Sequence, residues 1–437
     1  MRFVIENFGC QMNDHDMEKM GSVLIDHGHL PGSMDDADIV IVNTCCIREK
    51  AEQKFYSLMG RLQHLRRKKG TILGVTGCIA EQEKENIFER LPFIDFSLGP
   101  SNIHRIAEAV ENATGQVRTS AFGDDGRSPS LLIRPHNTRK GVKGYVTIMK
   151  GCNNFCSYCV VPYVRGREES RKSGDVLAEV REMAERGIVD VTLLGQNVNS
   201  YNNGNDDLSF PELLSQIDAI PGISRLRFVT SHPKDISPEL IACFGTLRTL
   251  CESIHLPFQS GSDRILALMN RGYTSSEYLG KIEALRDRCP GISLTADCIV
   301  GFPGEEDSDF EATMELMETV RFDGIFSFIY SARRSTAAAA LTGRVPPSVA
   351  HERLSRLQKR QRAITLDSNR AMEGTRAEVL VEGVSKNSPD ELTGRTRTGK
   401  IVNFRGDPGL VYKLVEVDII KGYANSLRGA LPDTPGR

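Results

Sequence analysis

The sequence has no tryptophan, and aromatic residues make up only 6% of it. It has almost no net charge: 55 Lys and Arg stand against 57 Asp and Glu, a formal net charge of −2. A uniformly basic nucleic-acid coat is therefore excluded, although local basic patches are not. No apolar run approaches the roughly 18 residues that cross a bilayer, so a membrane-spanning helix is excluded. Met1 to Glu6 (MRFVIE) has neither the apolar core of a signal peptide nor the Arg/Ser-rich character of a transit peptide. The expectation is a soluble, cytoplasmic protein with no membrane partner. A secreted disulfide scaffold is also excluded. The eleven cysteines are odd in number and lie in a long chain without a secretion signal, which favours metal or redox use.

The composition is that of globular domains, with 40% hydrophobic and 26% charged residues. At about 150 residues per domain, 437 residues suggest three domains. Within 1–120, Arg2 to Phe8, Asp38 to Asn43 and Thr71 to Thr76 read as strands. Amphipathic stretches lie between them at Asn13 to His27 and Ile47 to Lys69. A run from Phe93 to Leu98 precedes a helix near Asn102 to Asn112. This alternation predicts an N-terminal α/β domain on an open parallel sheet. Gly123 to Ser130 (GDDGRSPS) is polar and turn-rich and marks a linker, bounded at 121–137.

Residues 138–373 hold a second βα series. Its strands fall near Tyr145 to Met149, Val189 to Leu194, Arg225 to Val229, Ser253 to Pro257, Ser293 to Val300 and Gly324 to Tyr330. Six such units predict a partial (β/α)6 barrel rather than a closed eight-stranded one. A charged helix follows Pro346-Pro347, from about Val349 to Met372. Residues 374–437 change to short β runs at Ala377 to Glu382, Glu391 to Arg397, Lys400 to Phe404 and Lys413 to Ile420. They predict a small β-barrel. Its ten Lys and Arg against eight Asp and Glu make it mildly basic, which is compatible with RNA contact.

The strongest chemical signal is Gly151-Cys152-Asn153-Asn154-Phe155-Cys156-Ser157-Tyr158-Cys159. The C-x3-C-x2-C spacing directly follows a predicted barrel strand, at the catalytic mouth of such a fold. Three thiolates hold three irons of a cubane that takes four when fully protein-ligated, so one iron stays open to a chelating cosubstrate. The competing reading is a structural zinc loop that lacks its fourth ligand. Cys10, Cys45 and Cys78 each stand at the carboxyl end of a predicted strand (NFGC, VNTC, VTGC). Ligands of an open parallel sheet bind outside those ends. A second three-thiolate cluster competes here with three unrelated core cysteines. Cys46 rivals Cys45: neighbouring strand residues face opposite sides, and the sheet-end argument does not choose between them. Cys243, Cys251, Cys289 and Cys298 have no paired spacing and read as core residues.

Further motifs are FGCQMN (Phe8 to Asn13), NTCCIREKAE (Asn43 to Glu52), GCIAEQE (Gly77 to Glu83) and GCNNFCSYCVVPYVRGREESR (Gly151 to Arg171). LLGQNVNSY (Leu193 to Tyr201), TSHP (Thr230 to Pro233), HLPFQSGSDRIL (His255 to Leu266) and IVGFPGE (Ile299 to Glu305) complete the set. Together they resemble the radical S-adenosylmethionine methylthiotransferase family, and within it the MiaB type. The resemblance covers nearly the whole chain, and the final β module resembles a TRAM domain. Aligning on NTC-x-IREK implies Cys45 rather than Cys46 as the ligand. One departure stands out: the family's Ser-Ala-Arg-Pro-Gly-Thr is here Ser331-Ala332-Arg333-Arg334-Ser335-Thr336. The lost Pro-Gly puts the local loop shape in doubt.

The resemblance implies two [4Fe-4S] clusters and S-adenosylmethionine as cofactors. Cys152, Cys156 and Cys159 would hold the cluster that cleaves S-adenosylmethionine to a 5′-deoxyadenosyl radical. Cys10, Cys45 and Cys78 would hold an auxiliary cluster that carries sulfur. Tyr158, Ile299, Gly301 and Glu305 are the implied S-adenosylmethionine contacts, and no catalytic residue is implied beyond the cluster ligands. The implied substrate is tRNA carrying N6-isopentenyladenosine, methylthiolated at C2. The alternatives are a ribosomal protein side chain, threonylcarbamoyladenosine in tRNA, or a non-catalytic iron–sulfur or RNA-binding scaffold. An electron donor such as flavodoxin or ferredoxin, sulfur-supply proteins and a monomeric state are expected. Arg165, Arg167 and Arg171 read either as anion-steering groups or as a solvated turn. Arg66 to Lys69 and Arg356 to Arg362 read as solvated helix faces, with tRNA contact as the alternative. With no tryptophan, base stacking falls to residues such as Phe404, Tyr412 or Tyr423.

Overall fold

The computed structural model describes residues 1–45, 49–123, 129–136, 141–202, 206–386 and 388–432, with backbone alone for 49–51. In the first part, β1 (Arg2–Phe8), β2 (Leu30–Pro31), β3 (Ile39–Thr44), β4 (Ile72–Gly77), β5 (Phe96–Leu98) and β6 (Thr119–Ala121) form one sheet. Its order is β2-β1-β3-β4-β5-β6, and every pairing is parallel. β3 is buried along its whole length because helices cover both faces, which explains its unbroken apolar run. The edge strands β2 and β6 were not foreseen, since two or three residues are too few to show a period. The helix expected near Asn102 to Asn112 is divided into a 3-10 segment, Pro100–Arg105, and an α-helix, Ile106–Thr114. Residues 124–128 and 137 of the expected linker lie outside the described residues, and Pro129–Leu132 forms a short helix.

The second part carries β7 (Lys143–Thr147), β8 (Met149–Lys150), β9 (Glu169–Ser170), β10 (Asp190–Leu194), β11 (Arg225–Phe228), β12 (Ser253–His255), β13 (Ser293–Val300) and β14 (Gly324–Ile329). The parallel sets β7-β10-β11 and β12-β13-β14 meet through a parallel bridge between Leu226 and Leu250. Together they form an open arc of six strands. The run expected as one strand, Tyr145 to Met149, breaks at Ile148. β8 leaves the arc to pair antiparallel with β9, and this turns the chain into the cysteine loop. Along β13, Leu294, Ala296, Cys298 and Val300 are buried against the helices. The alternate Thr295, Asp297 and Ile299 face the hollow and stay partly exposed, as strand alternation requires. Cys243, Cys251, Cys289 and Cys298 are all buried, in line with their reading as core residues.

The last part is a closed barrel of β15 (Arg376–Val384), β16 (Glu391–Thr396), β17 (Ile401–Arg405), β18 (Leu414–Gly422) and β19 (Leu427–Ala430), in the order β15-β16-β17-β19-β18. β19 was not foreseen. The barrel sits on the amino ends of the arc strands. Arg225, fully buried at the start of β11, pairs with Glu378 at 2.8 Å and donates to the Arg395 carbonyl. Arg397 pairs with Glu252 at 2.9 Å, and Lys400 with Asp323 at 2.6 Å. The carboxyl ends of the arc strands lie at the opposite end, where Thr147, the last residue of β7, meets His15 of the helix Gln11–Asp26 at 2.6 Å. Phe404 is not available for stacking: it is 1% exposed in the barrel core, whereas Tyr412 and Tyr423 are exposed.

The turn that departs from the family pattern keeps a glycine-like backbone. Ser335 has φ +70°, and the Thr336 N–H donates to the Arg333 carbonyl at 3.3 Å. A left-handed residue with a Cβ costs about 1–2 kcal/mol, and glycine gives back up to about 1 kcal/mol in chain entropy. Ser335→Gly is therefore expected to raise stability by about 0.5 kcal/mol and Ser335→Val to lower it. Urea midpoints of the two variants check this.

Candidate functional site

β1, β3 and β4 are neighbours in the sheet, in register Phe8–Thr44–Gly77. Cys45 and Cys78 follow Thr44 and Gly77 directly, and Cys10 follows Phe8 after one glycine, so the fold delivers three thiols to one end of three adjacent strands. A buried polar network fixes that end. The Asn13 side-chain amide donates to the Thr44 carbonyl at 2.9 Å, and the Asn43 amide donates to the Asn13 carbonyl at 2.9 Å. The Thr44 hydroxyl donates to the Thr76 carbonyl at 2.7 Å. Gly77, at φ +93°, allows the close approach, since a Cβ there would lie 2.4 Å from the Thr44 carbonyl oxygen.

The Cys10 thiol also lies 3.3 Å from Asn13 Oδ1. Its pKa is lowered to about 6, first by the hydrogen bond with Cys45 and then, against the cost of burial, by the Arg165 charge. Arg165 in turn hydrogen-bonds Cys78. Cys10 is thus held toward its thiolate form, with a cation beside it. Cys46 lies outside the described residues.

Cys152, Cys156 and Cys159 occupy the loop between β8 and the helical turn Val161–Arg165. Gly151, at φ +75°, opens the loop where a Cβ would lie 1.9 Å from the Arg167 carbonyl oxygen. Two residues whose roles the sequence did not reveal face the central thiol. Arg271, 4% exposed, places Nη1 3.3 Å from Cys156 Sγ and 3.3 Å from Tyr158 Oη, while Nη2 donates to the Pro257 carbonyl at 2.8 Å. His232 Nε2 lies 3.8 Å from the same sulfur. Burial, followed by the Arg271 charge, pushes His232 down to about 2, so its imidazole is neutral. Its Nδ1 accepts from the Lys234 N–H at 3.2 Å, which leaves the Nε2 proton aimed at Cys156. Burial pushes Cys152 up to about 11 and Cys159 up to about 12.

Each set consists of three thiols, the soft donors that iron–sulfur clusters take. A cubane asks for one thiolate per iron, not three on one. Arg271 supplies a second observation. Its polar partners among the described residues are Cys156, Tyr158, Tyr273 and a carbonyl, not a carboxylate. An uncompensated buried cation costs several kcal/mol, and an anionic thiolate set supplies the missing charge.

The other expected residues divide. Tyr158 and Ile299 pack against one apolar cluster, Ile265, Met269, Phe302 and Ala338, beside the cysteine loop. Gly301 follows at φ +70°. Glu305 is buried, and its Oε2 accepts from the Gly301 N–H at 2.7 Å and from Arg353 Nη1 at 2.7 Å, which holds the end of β13. Arg165 and Arg171 are neither a solvated turn nor free to steer anions. Arg165 pairs with Asp16 at 2.9 Å and Arg171 with Glu179 at 2.6 Å, all four side chains buried. Arg167 lies over the Phe155 ring at 5.7 Å. In the two basic helix stretches, Arg66 pairs with Asp95 and Arg356 with Glu311.

Residues 2–99 match the family described as Uncharacterized protein family UPF0004, residues 146–317 the Radical SAM superfamily, and residues 370–431 the TRAM domain. Among solved structures, the chain is similar to the radical S-adenosylmethionine methyltransferase TsrM from Kitasatospora setae, with a TM-score of 0.58 and 15% identity. That match covers 77% of this chain and 74% of the other, and shows a shared fold. Among curated proteins, the tRNA-2-methylthio-N(6)-dimethylallyladenosine synthase of Syntrophus aciditrophicus (strain SB) is 50% identical, over 98% of this chain and 94% of its own. Proteins of the same name from Geobacter sulfurreducens and Geobacter metallireducens are 50% and 51% identical, over 99% and 98% of this chain and 98% and 97% of their own. At that identity over the full length, the chain belongs to the family of tRNA-2-methylthio-N(6)-dimethylallyladenosine synthases.

Proposed function

We propose that this protein replaces the C2 hydrogen of N6-dimethylallyladenosine in tRNA with a methylthio group. S-adenosylmethionine and two [4Fe-4S] clusters are the cofactors of this reading. Cys152, Cys156 and Cys159 would hold one cluster, and Cys10, Cys45 and Cys78 the other. The aromatic C–H bond is neither acidic nor electrophilic. A cluster with an open iron supplies the electron that turns S-adenosylmethionine into an agent able to break it. The carrying observation is the placement of three thiols on adjacent strand ends, joined through one helical turn to the C-x3-C-x2-C loop.

The chain's own residues account for the rest. Arg271 and His232 hold the Cys156 side of the loop. Tyr158, Ile299 and Gly301 would line the cosubstrate's apolar side, with Glu305 as a support behind Gly301. The C-terminal barrel would grip tRNA by shape and backbone charge, with Tyr412 and Tyr423 as its exposed aromatic residues. A flavodoxin- or ferredoxin-type electron donor, a sulfur-supply protein, a monomeric state and a cytoplasmic location belong to the same reading. The test is nucleoside mass spectrometry of tRNA after anaerobic incubation with reconstituted protein, reductant and S-adenosylmethionine. The 2-methylthio nucleoside is the expected product.

A further inference from the structure

The helical turn Val161–Arg165 begins two residues after Cys159, yet it is built into the other domain. Val160 and Val164 belong to the N-terminal core, packed with Cys78, Ile79 and Ala80. Arg165 is 8% exposed and sits 2.9 Å from Asp16 Oδ2. It also hydrogen-bonds Cys78, and its charge faces Cys10. Asp16 lies on the helix Gln11–Asp26, for which Cys10 is the N-cap. A five-residue helical turn rises only about 7 Å, so one short strut joins the two thiol sets. A carboxylate and a guanidinium stand together at the foot of Cys10 and Cys78.

We infer that Arg165 is the positioning cation of the Cys10, Cys45 and Cys78 set, that it raises the reduction potential of the cluster bound there, and that Asp16 opposes it. This rests on the reading of those three cysteines as cluster ligands. A nearby positive charge favours the more negative, reduced state of a cluster, and a negative charge disfavours it. Two substitutions at one ion pair therefore act with opposite signs. A purely structural strut does not do this, because loosening it from either side has the same consequence.

The experiment uses the full chain carrying Cys152→Ala, Cys156→Ala and Cys159→Ala, so that only one cluster is read. Iron and sulfide are counted, and the midpoint potential is followed by anaerobic titration. With Arg165 and Asp16 intact, about four irons are expected; no bound iron contradicts the ligand reading itself. Given bound iron, Arg165→Met is expected to lower the potential, Asp16→Asn to raise it, and Arg165→Lys to leave it near the starting value. Unmoved potentials, or shifts of one sign in the Met and Asn variants, overturn the role of Arg165. If Arg165→Met does not fold, Asp16→Asn against Arg165→Lys decides. A rise in the first alone supports the inference, and equal shifts in both overturn it.

Discussion

Cys156→Ala is expected to abolish both 5′-deoxyadenosine formation and methylthio transfer, a loss on the order of a thousandfold or more. Cys156 is the middle thiol of its loop, faced by the Arg271 guanidinium at 3.3 Å and by His232 at 3.8 Å. Without its sulfur the loop offers two ligands to a cluster that needs three, and the buried Arg271 loses its anionic partner. Iron content should fall by about half, from two cubanes to one. Stability should fall because Arg271 is left uncompensated, but the fold should be kept, since Cys156 is only partly buried and lies outside the main core clusters. Product analysis together with an iron count checks the prediction. Continued 5′-deoxyadenosine formation at the wild-type rate would remove this loop from the chemistry.

Cys45→Ala is expected to separate the two halves of the reaction. Cys45 closes β3, is buried, and is hydrogen-bonded to Cys10. Its loss takes one thiolate from the Cys10, Cys45 and Cys78 set and leaves the Cys152, Cys156 and Cys159 loop untouched. Cleavage of S-adenosylmethionine should continue within about twofold, while the methylthio product falls to background, again on the order of a thousandfold. Cys46→Ala is the control. If that variant lost the product and Cys45→Ala kept it, the assignment to Cys45 would be wrong.

Much of this organisation was legible because it is local. β1 and β13 span the residues that the sequence predicts, since long strands with a clear burial pattern carry their own period. The cysteine loop stands out by its spacing, and Cys10 and Cys78 with either Cys45 or Cys46 by three equivalent strand ends; the choice of Cys45 rests on the resemblance. What the sequence hid is contact between distant elements. Nothing near Arg271 signals that it reaches back to Cys156, and nothing in the run Arg165 to Arg171 separates a solvated turn from two buried ion pairs. His232 lies within a motif that carried the resemblance, but only the fold brings it to a sulfur. Glu305 lies in another, and its carboxylate turns inward because Arg353, on the long helix Pro347–Arg370, lies within reach. Phe404 alternates inward in a closed barrel whose fifth strand, β19, was too short and glycine-bearing to detect.

The central claim is that two thiol sets serve one reaction on prenylated tRNA. The most direct measurement compares tRNA bearing N6-dimethylallyladenosine with the same tRNA unprenylated, using S-adenosylmethionine labelled in its methyl group and mass spectrometry of the digested nucleosides. The account predicts a labelled 2-methylthio nucleoside from the prenylated tRNA, together with 5′-deoxyadenosine. Formation of 5′-deoxyadenosine with no methylthio nucleoside from either tRNA would contradict it.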